Sequence, residues 1–144
     1  MIRLFNWLTD RVASTAEACF AKRAIVVGVA FPLEALSDAV LARTETWSSL
    51  TMSWHTRPIE PNHGKPIVIS ELESASWLAE IAIWSTGEAE LATVRLADDR
   101  IVNKHYDLHG LGDLERLLDE LVALFTEDRI PAAAIVAQQP RAPD

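Results

Sequence analysis

The chain is poor in the residues that specialised chemistry needs. Cys19 is its single cysteine among 144 residues. One thiol builds neither a disulfide framework nor a multi-thiolate zinc site, so the chain reads as a reduced, cytosolic protein. Long hydrophobic runs are missing as well. The longest, residues 24–33, is about half of the ~20 residues a spanning helix requires, and Pro32 interrupts it. Asp10 and Glu17 fall where a secretory leader keeps an uncharged stretch, so no leader is expected.

Glycine-based chemistry is absent too. There is no GxSxG elbow, no GxxxxGK[ST] phosphate loop and no GxGxxG turn, and Gly110-Leu111-Gly112 lacks a preceding βαβ context. The four histidines, His55, His63, His105 and His109, form no HExxH pattern. The His105–His109 spacing suits two ligands on one helical face, but the segment is not convincingly helical. Cys19 sits in an apolar helical stripe, where a thiol is a small hydrophobe rather than a nucleophile. No enzyme, metal or cofactor is expected.

What the chain has in excess is negative charge, unevenly placed. The net charge is -8. Residues 1–70 carry +1, residues 71–127 carry -9 and residues 128–144 are neutral. A region this acidic repels nucleic acid and anionic membranes and attracts a basic partner. Hydrophobic residues at 49% and charged residues at 24% are ordinary for a folded domain. A single domain over residues 1–130 with a loosely ordered tail over 131–144 accounts for the length.

Periodicity predicts an α+β fold. Phe5, Leu8, Val12, Ala16 and Cys19 recur at helical steps, giving an N-terminal helix over residues 2–22. Residues 25–31 fit a buried strand or a continuation of that helix. Pro32 opens a short helix over residues 33–42. Leu50, Met52 and Trp54 then alternate as in a half-buried strand, and residues 57–66, with three prolines, read as a loop.

Strands are expected over residues 67–73, 77–84, 88–96 and 101–106, giving an antiparallel meander of four to five strands. Gly87 supplies the positive φ for the connection between the second and third of these. Asp113 is placed as the N-cap of a C-terminal amphipathic helix carrying Leu114, Leu117, Leu118, Leu121, Leu124 and Phe125, packed on one sheet face.

By two-residue alternation Glu88 and Glu90 share one side of their strand, as do Glu71 and Glu73. With Asp98 and Asp99 at the next turn they are expected to gather into one exposed acidic patch. Trp54 and Trp84, at strand ends, can anchor an interface, and Trp84 is taken as the candidate although the core is the better expectation for each alone; Trp7, Trp47 and Trp77 are placed in the core or at its edge. The seven candidate partner-binding residues are therefore Glu71, Glu73, Trp84, Glu88, Glu90, Asp98 and Asp99.

The run from Glu80 to Leu91, with Trp84-Ser85-Thr86-Gly87-Glu88 at its centre, resembles the TriTu family of immunity proteins found beside polymorphic (Rhs-type) toxins. The histidine-bearing Lys104-His105-Tyr106, the leucine-rich helix and the opening Leu4-Phe5-Asn6-Trp7-Leu8 are similar to that family as well. The resemblance covers residues 67–125 and the first ten. It implies a cytosolic, non-catalytic protein that neutralises a cognate toxin domain in a one-to-one complex, by occluding the toxin's active site. No nucleic acid, membrane or cofactor takes part. An acidic secretion chaperone that holds an effector segment is the competing reading; such a chaperone would normally be a homodimer.

Overall fold

The structure is a computed structural model and describes residues 30–138 apart from residue 63. The expected N-terminal helix with Trp7 and Cys19, most of the run over 25–31, His63 and the last six residues lie outside the described part.

Pro32 precedes helix α1 (Glu34–Leu41), which buries Leu36, Ala39 and Val40. A second helix, α2 (Thr44–Ser49), follows at once. Its composition is unremarkable for a helix, and packing sets it in place. Trp47 is fully buried and its indole Nε1 donates to the Val40 carbonyl at 2.8 Å.

The chain then builds one antiparallel sheet from β1 (Ser53–Thr56), β2 (Glu60–Asn62), β3 (Lys65–Glu73), β4 (Trp77–Trp84), β5 (Glu88–Arg95), β6 (Arg100–Asp107) and β7 (Ile135–Gln138). The spatial order is β1-β3-β4-β5-β6-β7, with β2 also paired to β3. The expected meander is present as β3 to β6, but the sheet has seven strands rather than four to five. The additional ones, β2 in the proline segment and β7 near the C-terminus, have three and four residues, too few to show alternation. The expected strand around Leu50 to Trp54 begins only at Ser53, because α2 occupies the preceding residues.

Between β6 and β7 lies α3 (Leu111–Glu127). It starts three residues earlier than the Asp113 cap implies. Gly110 is the N-cap, and the Asp113 carboxylate instead accepts the His109 amide at 2.8 Å. The apolar stripe of α3 is buried as its spacing requires: Leu114, Leu117, Leu118, Leu121 and Leu124 join Leu36, Val40 and Trp47 against the sheet. Truncating one of these leucines to alanine costs about 2–5 kcal/mol at a fully buried site. Phe125 tilts against Trp77 at 5.3 Å between ring centres.

Register fixes which strand residues meet the helices. Val68 and Leu72, Ala79 and Ile81, Ala89 and Leu91, and Val102 all belong to the helix-side core. The intervening residues point to the opposite face, where Ile67, Ile69, Ala82 and Trp84 form a second cluster and Leu78, Ala92, Val94 and Ile101 a third. Every residue of β4 is buried, so this sheet is closed to solvent on both faces at its centre.

Candidate functional site

Glu71, Glu73, Glu88 and Glu90 share one side of the sheet, as alternation implies, but of the four only Glu73 is exposed. Glu71 and Glu73 on β3, Trp84 on β4, and Glu88 and Glu90 on β5 all point to the face away from the helices, by the register of the three strands. That face is not the open surface the sequence suggested. Trp84, Glu88 and Glu90 are 1%, 0% and 8% exposed. The reason lies in β4, where Glu80 is the single polar residue between Trp77 and Trp84; such a strand is made to be covered on both sides.

The buried carboxylates are held by specific partners. The Thr86 hydroxyl donates to Glu88. Glu90 Oε1 lies 2.6 Å from His105 Nδ1 on the neighbouring strand, and His105 Nε2 lies 3.2 Å from Asp107 Oδ1. Burial pushes the Glu90 pKa above the usual glutamate value, overcoming the opposite pull of His105. For His105 burial works against the charged ring, but the Glu90 and Asp107 carboxylates win and raise its pKa above the ordinary histidine value.

Nearer the rim, Glu71 receives Arg57, whose Nε donates at 2.5 Å, while Glu73 at the end of β3 is exposed. Asp98 and Asp99 belong elsewhere. They form the β5–β6 turn, with Asp99 at φ +56°, and the Asp98 carboxylate turns to the helix side. There Arg95 grips it through Nε at 3.0 Å and Nη2 at 2.6 Å. This pairing holds the Asp98 carboxyl down at about 2. Arg95 and Arg100 also reach Asp128, the residue that ends α3, so the turn and the helix terminus are tied together.

The expected single patch is therefore three separate things: a buried hairpin interior, a rim at Glu71 and Glu73, and a salt-bridged turn. The negative charge that does face water lies largely on the helices. Residues 34–50 and 111–129 together carry nine carboxylates and three arginines, a net -6. Glu34 and Asp38 share one exposed side of α1, Glu45 is exposed on α2, and Glu115 and Asp119 are exposed on α3. Arg43 joins these elements into one layer, bonding Glu115 Oε2 at 2.7 Å and Asp119 Oδ1 at 2.8 Å. Leu41 and Leu111 interrupt this acidic surface at 61% and 55% exposure. The charge run in α3 was visible in the sequence; its partnership with α1 and α2 depends on the fold.

His55 and His109 are exposed on different elements, and among the described residues no group of three His, Cys, Asp or Glu side chains is arranged to hold a metal. No described helix is long and apolar enough to cross a membrane.

Residues 36–124, from α1 to the last buried leucine of α3, match the family described as Immunity protein TriTu. The chain belongs to the TriTu family. No curated protein and no solved structure matches it. Members of a family of immunity proteins serve toxin neutralisation and are generally non-enzymatic. In this TriTu chain the matched segment includes the Trp84–Glu88 hairpin, His105 and most of the acidic helical layer, but not Glu34, Glu127 or β7.

Proposed function

We propose that this TriTu protein binds a cognate polymorphic toxin domain of the Rhs type in the cytoplasm, one to one, and blocks its active site with the acidic helical layer. The observation that carries the reading is the set of exposed carboxylates on α1, α2 and α3, Glu34, Asp38, Glu45, Glu115 and Asp119, on a member of an immunity family. Carboxylates held on helices attract a basic cleft over a distance and speed its capture. Leu41 and Leu111 supply apolar contacts within the charged field, the combination a specific interface needs at its centre. Glu71 and Glu73, on the face away from the helices, and the Asp98–Asp99 turn stand outside this contact, and Trp84, Glu88 and Glu90 hold the hairpin within the fold.

The test is to purify the chain with the toxin domain encoded beside it, size the mixture and assay the toxin. A one-to-one complex that abolishes toxin activity at equimolar ratio is expected. Absence of a complex, or a complex in which the toxin stays active, contradicts the reading. A homodimer holding an unfolded segment would point instead to a chaperone.

A further inference from the structure

The two edges of the sheet are built differently. On one side β1 and β2 share the border of β3, each short, separated by Pro58 and carrying Pro61, with Arg57 and Glu60 adding charge. Breaks, prolines and charges of this kind stop another strand from adding to an edge. The opposite side has no proline and no charge within its strand, although at four residues that strand is as short as β1. It ends, among the described residues, in β7, Ile135-Val136-Ala137-Gln138, paired on one side with Arg100–Asn103 of β6. All four residues are exposed, Ile135 at 72% and Val136 at 47%, and no charge occurs between residues 130 and 140.

The register sets the directions. Val136 lies opposite Val102 and therefore on the helix side, whereas Ile135 and Ala137 lie on the other face. Alternate residues of such a strand aim their N–H and C=O groups away from the neighbour they already pair with. β7 thus offers an apolar side chain on each face and, among the described residues, main-chain groups with no strand on their outer side.

We propose that β7 receives an extended segment of the toxin domain as an additional antiparallel or parallel strand; this rests on the immunity reading above. Charge decides between a toxin segment and a second copy of this chain. Two copies bring together bodies of net charge -8 each. A self-pair of four-residue strands buries far less than the ~1,000 Å² expected of a stable interface. A segment of a basic partner is attracted by the same charge, and its main chain supplies the pairing. Its chemistry is an extended stretch with apolar residues to meet Ile135 and Val136 and with lysine or arginine alongside.

The experiment uses the full chain and its toxin domain, with Val136→Pro, Ala137→Pro and Ile135→Lys compared in a binding titration. Because main-chain direction alternates, one proline removes a bond to β6 and the other an outward donor. The proline variant that keeps the wild-type melting temperature is the one that blocks the outer side. It is expected to weaken binding about tenfold or more, the worth of roughly one or two lost hydrogen bonds together with the steric block. Ile135→Lys, at a side chain already in solvent, is expected to weaken binding while leaving the fold intact. Wild-type affinity in that proline variant and in Ile135→Lys overturns strand addition and leaves the immunity reading standing. Failure of the wild-type chain to bind the toxin overturns both. A wild-type dimer that the same variants dissociate, with toxin affinity unchanged, assigns the edge to a second copy and also overturns the proposal.

Discussion

The backbones of Gly87 and Leu108 meet directly: the Leu108 amide donates to the Gly87 carbonyl at 2.8 Å, and a Cβ on Gly87 would stand 2.6 Å from the Leu108 carbonyl oxygen. With φ at +96°, Gly87 also occupies backbone space that other residues adopt only under strain. This contact closes the β4–β5 turn onto the strand leading to α3. Gly87→Ala is therefore expected to destabilise the fold by about 2–4 kcal/mol, from the strained φ and from backbone that must shift. A urea titration checks this, and an unchanged midpoint would remove the contact from the account.

The Glu90–His105–Asp107 arrangement predicts a pH dependence. Two carboxylates facing the two ring nitrogens require two N–H donors, which the imidazolium alone provides. Because the folded pKa of His105 is raised, its contribution is fully present below the unfolded value of about 6.5 and is lost as pH rises through the folded value. The raised Glu90 pKa acts in the same sense, since the folded state again holds the proton more tightly. Stability should fall as pH rises above about 6.5, and His105→Gln should flatten that slope. An NMR titration placing the His105 pKa at or below the free value would contradict this.

Asp98 sets the opposite limb. Its pKa is lowered to about 2 by the Arg95 pairing, so its contribution is present above the unfolded value near 4 and is lost as pH falls towards 2. Asp98→Asn should lower stability at neutral pH by a modest amount, because solvent screens a pair this near the surface. It should also make the acid limb between pH 4 and 2 less steep. Thermal melts across that range decide it; parallel acid limbs in the two proteins would exclude the pairing as a source of acid sensitivity.

Much of this was legible in the sequence where a repeating pattern had length to show itself. The stripe of α3 named its buried leucines, and Gly87 located the hairpin that β4 and β5 form. The parity of Glu71, Glu73, Glu88 and Glu90 was also readable, since alternation fixes a face. Whether a face is wet is a tertiary fact. Here the clue was the missing alternation in β4, where apolar residues at both parities announce a strand covered twice. Helix α2 and strands β2 and β7 carried no pattern, because at six, three and four residues their stability comes from neighbours rather than from local preference. Asp98 escaped because a turn residue can swing to either side, and only Arg95 and Arg100 reveal which.

On the proposed reading the helical layer, rather than the hairpin, meets the toxin. This is tested most directly by the rate at which Glu34→Lys, Asp38→Lys and Glu45→Lys, combined in one chain, associates with the toxin domain. These three side chains are exposed, so the fold should survive the change. At low salt the account predicts association slowed by roughly ten- to a hundredfold, with the gap closing as salt screens the attraction. Association at the wild-type rate in low salt would contradict it.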